Sequence, residues 1–169
     1  MIVRRETAED HDAVAAITRV AFDTGVEARL TAALREDAAG FVPQLSLVAE
    51  RGGHVLGHVI ATRATVGGKG GALGLGPIAV APRHQGEGIG SALMHAVLGA
   101  ADALGAPVVV LLGDPRFSSR FGFVLAETAG IAPPVPEWGP HFQARTLAAW
   151  ADAPLSGTFA YAAPFDAVS

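Results

Sequence analysis

The sequence predicts an α/β fold in which a mixed, mostly antiparallel sheet of about six to seven strands is flanked by about four helices. Three patterns point to it. Two amphipathic helical runs precede the first long β-branched stretch, and that stretch is split by Gly52-Gly53 into two strand-like halves. A glycine-rich turn, RHQGEGIGSALM (83–94), then joins a strand pattern to the strongest helical pattern, and further strands follow. At 169 residues the chain is expected to form a single domain, residues 1–169, that buries a sizeable core without disulfides or metal.

In chain order, residues 2–5 (IVRR) read as a short opening strand. Thr7 and Asp10 in TAED form a capping-box pattern, in which the Thr7 hydroxyl is expected to receive a helix-start N–H. Ala13, Val14, Ile17, Val20 and Ala21 recur at helical spacing, and a second run over 26–38 brings Leu30, Ala33 and Leu34 together. Residues 45–66 read as an antiparallel pair, because a Gly-Gly dipeptide tolerates positive φ at both central positions of a tight turn. GGKGG (67–71) reads as a loop, and ALGLGPIAVAP (72–82) as a strand. Gly74, Gly76 and Pro77 interrupt its ladder, so a bulge or splay is expected there, with something approaching the backbone.

From Ile89, the positions Ile89, Ala92, Leu93, Ala96, Val97, Ala100 and Leu104 trace one helix face, and Gly105 followed by Pro107 stops it. VVVLL (108–112) reads as a buried strand, GDPRFSSRFG as a loop with one helical turn, and FVLAE (123–127) as a strand. After the turn-rich APPVPEWGP come strand candidates near 142–147 and 157–162. No domain boundary and no fixed-period repeat is visible.

Composition excludes several function classes. A net charge of −4, with no basic run longer than Arg4-Arg5, argues against a nucleic-acid partner. The chain has no cysteine, which removes thiolate catalysis and Cys-based metal sites. His11, His54, His58, His84, His95 and His141 show no ligand spacing, so no metal is expected. No apolar run approaches the ~20 residues that span a bilayer, and the N-terminus turns charged at its fourth residue, so the cytoplasm is the simplest location.

A strand, a glycine turn and a long helix leave several N–H groups and a helix N-terminus directed at one spot, which favours a phosphate. Gly86, Gly88 and Gly90 let a ligand approach the main chain because no Cβ intervenes. The Walker A pattern fails for want of Gly-Lys-Ser/Thr, and the dinucleotide fingerprint fails where Ser91 stands in place of its third glycine.

VAPRHQGEGIGSALM closely resembles the acetyl-CoA-binding motif of the GCN5-related N-acetyltransferase (GNAT) superfamily, whose Arg/Gln-x-x-Gly-x-Gly/Ala signature falls on Gln85, Gly88 and Gly90. VLLGDPRFSSRFGF resembles the later motif of a subgroup, the predicted bacterial acetyltransferases of the YhbS type. The likeness covers the chain to about Phe165 and implies the GNAT fold, with its sheet splayed at the cofactor site. It also implies acetyl-CoA as acyl donor and a primary amine of a small molecule or peptide as acceptor, the amine attacking directly in a ternary complex; a homodimer is left open.

The resemblance places the coenzyme pyrophosphate on Gln85, Gly86, Glu87, Gly88, Ile89, Gly90 and Ser91, and its pantetheine arm along Ile78, Ala79 and Val80. The N–H of Val80 or a neighbour would meet the oxyanion. Glu27, in the EARL helix, would be the general base. The tyrosine that many relatives use to protonate the thiolate falls on Ser118, so the usual acid is missing; Ser118 or Tyr161, the only tyrosine, are the replacements considered. That gap keeps a non-catalytic acyl-CoA-binding sensor in play as the alternative. A nucleotide-dependent phosphotransferase is more distant, because it would need the absent Walker lysine.

Among the remaining residues, Asp114 is expected to cap the turn after VVVLL. Arg120 can pair with Asp114 or meet a phosphate, and the pairing is favoured; His84, beside the phosphate turn, is expected to be solvated rather than to contact the cofactor. Trp138, His141 and Phe142 are candidates to roof the acceptor pocket.

Overall fold

The computed structural model describes residues 1–168. Strand β1 (Ile2–Arg5) leads through a 3-10 turn into helices α1 (His11–Phe22) and α2 (Val26–Glu36). The capping box expected at that entry forms: the Thr7 side chain accepts from the Asp10 backbone N–H, and the Asp10 carboxylate accepts in return from the Thr7 backbone N–H at 2.7 Å. Strands β2 (Ser46–Arg51) and β3 (His54–Val66) join through Gly52-Gly53, both at positive φ as that turn requires. A second Gly-Gly pair, Gly67-Gly68, connects β3 to β4 (Lys69–Val80) in the same way. The segment 67–71 is therefore a two-residue turn with the strand resuming at Lys69, not an extended loop.

Helix α3 (Ile89–Ala103) runs to the expected stop and buries Ile89, Leu93, Met94, Val97, Leu98 and Ala101. Each larger side chain of that stripe contributes ~1.5–3 kcal/mol by leaving water. Then come β5 (Val108–Leu112), the single turn α4 (Pro115–Ser118), β6 (Val124–Leu125), β7 (Ile131–Ala132), β8 (Phe142–Thr146) and β9 (Gly157–Ala160). The nine strands exceed the expected six to seven through the two-residue strands β6 and β7, of which β6 is all that forms of FVLAE. No helix among the described residues is long and apolar enough to cross a membrane.

The sheet order is β1-β2-β3-β4-β5-β8-β6, with β9 pairing the end of β3 and β7 pairing β9. Only β4–β5 and β7–β9 are parallel. One face packs α3 against Leu47, Val59, Leu73, Leu75 and Val109. On the other face, Leu30 and Leu34 of α2 meet Ile60 and Ala162, next to Phe159 and Phe142.

Two irregularities shape the site. β3 and β4 pair Val59 with Ile78 but Ala61 with Leu75, so Gly76 and Pro77 oppose the single residue Ile60 in a bulge. Gly76 sits at φ +134, which a side chain would strain. β4 and β5 are bonded only at Leu73↔Val109 and Gly74↔Val110, and beyond that rung the strands diverge. The expected splay is therefore present, beginning at the bulge.

A buried polar group lies beneath this region. His58, paired opposite Ala79 of β4, places its Nε2 2.9 Å from the Ser46 hydroxyl and 3.4 Å from Glu6, which accepts two 2.9 Å hydrogen bonds from Arg35. Burial pushes the His58 pKa down to about 4 against the opposing field of Glu6. Burial, the largest single influence, would raise the Glu6 pKa, but Arg35, His58 and the Ser46 hydroxyl together outweigh it and the net shift is downward.

Candidate active site

The turn after β4 delivers the helix N-terminus that the glycines promise. None of the N–H groups of Gly86, Glu87, Gly88, Ile89, Gly90 and Ser91 donates to another described backbone group, and the first α3 bond runs from Ala92 to Gly88 O. They open into a cleft of about 560 Å³, bordered by Ile78, Ala79, Val80, Gln85, Ser91 and the glycines of the turn. Gly88 has φ +83, and a Cβ there would meet nothing within 4 Å, so the space over the cradle is free of protein.

Of the expected cofactor residues, Glu87 alone does not border the cleft. Its carboxylate bonds Arg51 and His84, each at 3.1 Å, and these contacts, His84 first, hold its pKa below the usual range. His84 is thus paired as well as bordering the cleft. Arg120 also borders it, although not in the expected ion pair: the Asp114 carboxylate is held by the Arg116 guanidinium at 2.9 Å and caps α4 through the Arg116 N–H. Arg120 instead lies over Phe117, 4.9 Å from the ring centre.

The wall between turn and bulge is bare backbone. Ala81 N–H bonds Leu56 O at 2.8 Å, and in an antiparallel ladder bonded pairs alternate. Ala79 therefore faces β3, while Ile78 and Val80 turn their N–H and C=O groups toward the gap left by β5. The Gln85 side chain bonds Val80 O at 3.2 Å from that side, which leaves the Val80 N–H open.

Past Ile78, Phe22 and Phe117, which border both spaces, lies a second chamber of about 370 Å³. Glu27 reaches it from the first turn of α2, half-buried, with Oε2 accepting from the Thr24 hydroxyl at 2.6 Å. Ser118 also borders it, but its hydroxyl donates to Gln143 Oε1, and the Gln143 amide is fixed in turn by Gly113 O and His141 O. Of the three candidate roof residues, Trp138 alone lines the chamber; the Phe142 ring is buried against Phe159.

Tyr161 lines the same chamber. Its ring stacks on Phe165 at 4.3 Å, meets Phe159 edge-on at 4.7 Å, and rests on Gly74, where a Cβ would come within 2.8 Å of it. Gly74 belongs to the last bonded rung before the splay, so the phenol stands at the apex of the gap. Burial alone raises its pKa well above the ordinary tyrosine value, and no hydrogen bond ties the hydroxyl to a described residue. The sequence signal for this placement was slight, a lone tyrosine on a late strand. Among the described residues no three His, Asp or Glu side chains converge to hold a metal ion.

Comparison with known proteins agrees with this geometry. Residues 11–123 match the family model described as Acetyltransferase (GNAT) family. The uncharacterized N-acetyltransferase YhbS of Escherichia coli K12 is 35% identical over 127 residues, 75% of each chain. Its crystal structure in complex with CoA superposes with a TM-score of 0.90 at 32% identity, covering 98% of this chain and 91% of that one. A GNAT family acetyltransferase from Brucella melitensis in complex with acetyl-CoA gives a TM-score of 0.79 at 34% identity, with 98% and 97% covered. The family model spans most of the chain, and the YhbS relative is more than 30% identical over three quarters of it: the chain belongs to the GNAT family of acetyltransferases.

Proposed function

We propose that this protein transfers an acetyl group from acetyl-CoA to a primary amine of a small molecule or peptide, the amine attacking directly while both are bound. One observation carries the reading: an unpaired N–H cradle opens, along a wall of unpaired strand backbone, into a largely apolar chamber bordered by Glu27 and Tyr161. The related structures that hold CoA and acetyl-CoA support it.

The residues present fit the coenzyme. A side-chain-free cradle at Gly86 to Ser91 suits a diphosphate, and the α3 dipole adds ~0.3–2 kcal/mol. Arg120 supplies positive charge at the rim, and Ile78 and Val80 offer the pantetheine amides a strand edge to pair with. Bound there, the coenzyme supplies an activated thioester and a thiolate leaving group.

The chain supplies the rest. Glu27 takes a proton from the ammonium, whose free pKa is near ~10.4, and so frees the lone pair for attack. The Ile78 N–H stabilises the oxyanion; Ile78 borders both spaces, whereas Val80 borders only the cleft, so Val80 serves the arm. Tyr161 gives its proton to the departing sulfur and takes one back from the nitrogen of the new amide. Ser118, with its proton committed to Gln143, positions the loop after β5.

The missing tyrosine at 118 favours one second reading, a non-catalytic acyl-CoA sensor. Thiol release from acetyl-CoA over an amine panel, run beside calorimetric titration with CoA, separates the two. Turnover on any amine supports the transferase; tight binding with none supports the sensor; absence of binding removes both.

A further inference from the structure

We infer that the acceptor is a compact, apolar monoamine, its single ammonium met by Glu27 and its hydrocarbon lodged among Leu30, Met94, Trp138 and Phe165. This rests on the transferase reading above. The walls of the chamber are overwhelmingly aliphatic and aromatic, and its volume of about 370 Å³ must also admit the thioester end. That suits an amine of modest size.

Charge narrows the class further. Two carboxylates border the chamber, but Asp114 is engaged by the Arg116 N–H and by two guanidinium nitrogens. Glu27 makes its one side-chain contact with the Thr24 hydroxyl and has no salt bridge among the described residues. One cation therefore finds a free carboxylate, and a second would lie against apolar walls without one. No Lys or Arg lines the chamber, so an acceptor carrying a carboxylate or phosphate inside it would also go unpaired. A polyhydroxylated acceptor fares no better, because the Ser118 hydroxyl is already bonded and Tyr161 faces the sulfur. The cofactor cleft, bordered by Arg120, His84 and Gln85, has the opposite character.

The test uses a matched pair, n-hexylamine and 1,6-diaminohexane, equal in length and differing by one terminal ammonium. Transfer is followed as thiol release from acetyl-CoA, and CoA affinity is measured calorimetrically on the same preparation. Hexylamine should exceed the diamine by ~10²-fold or more in kcat/KM, mostly through KM, as expected for burying an unpartnered cation. Leu112, exposed yet lining the chamber, offers a second variant. Leu112→Glu gives the far ammonium a partner and should narrow the ratio to under ~10-fold. Equal rates, a preference for the diamine, or no transfer to either amine by protein that binds CoA would overturn the inference. Failure to bind CoA would show that the cofactor reading itself had fallen, and this inference with it.

Discussion

The cofactor cleft is made chiefly of main chain from one stretch of sequence, residues 78–91. The acceptor chamber is made of side chains gathered from α2, β4, α3, the loop after β5, the 136–141 turn and the C-terminal tail. The first recognises charge and shape through N–H groups that every residue owns, so it tolerates change everywhere except where a Cβ would intrude. On the function proposed above, the second would recognise an acceptor through the identity of each side chain. One protein would thus hold a common anionic coenzyme by generic means while reading its acceptor by particular ones.

The largest expected effect breaks the cleft and spares the chamber. Gly88→Val should lower CoA affinity by ~10²-fold or more, since it removes several charge-assisted hydrogen bonds at once. Its side chain meets no protein atom, so folding should suffer only the ~1–2 kcal/mol of a non-glycine residue at positive φ. Calorimetry and thermal melts separate the two effects.

Next comes a substitution that breaks the chamber and spares the cleft. Tyr161→Phe should reduce kcat by ~10²- to 10⁴-fold, with CoA affinity unchanged. Unaltered turnover would return the acid role to another group. Glu27→Gln should reduce kcat/KM by a factor in the same range and remove a limb of the pH–rate profile, again without touching CoA binding.

A gentler probe displaces the acid without deleting it. Gly74→Ala drives a methyl against the Tyr161 ring, pinned between Phe159 and Phe165, and should cost ~1–3 kcal/mol of stability while lowering turnover more than affinity. Urea melts and steady-state kinetics measure both.

The smallest effect falls on both regions together, through the buried group under Ala79. His58 has a folded pKa of about 4, below its ordinary value near 6.5, so its contribution is complete above pH ~6.5 and is lost as pH falls toward 4. Glu6, also shifted down, adds stability that disappears only below the usual carboxylate range. The urea midpoint should therefore be lower at pH 5 than at pH 7.5, and CoA affinity and turnover should fall in parallel. An unchanged midpoint would refute the buried neutral histidine.

The same contrast governs what was legible beforehand. The glycine turn, the α3 stripe, the first Gly-Gly hairpin and the splay at Gly76-Pro77 were all read from residues close in sequence, because backbone conformation and helix periodicity are local properties. Residues 67–71 do not form the expected loop because Lys69 pairs with Val66 of β3, and Gly70 and Gly71 are carried along in an irregularity of that ladder rather than by their own propensity. The expected pairing of Arg120 with Asp114 fails because Arg116, two positions from Asp114, wins the carboxylate by proximity.

By itself, then, the sequence determined that a bare helix N-terminus would follow a disrupted strand, since no Cβ and a proline act wherever they stand. Only the tertiary structure decided that Tyr161, Glu27 and Trp138 would converge on the open end of that strand. Their meeting depends on long-range packing, on a ring settling over Gly74 where β4 and β5 part, and no pattern of neighbours along the chain encodes such a contact.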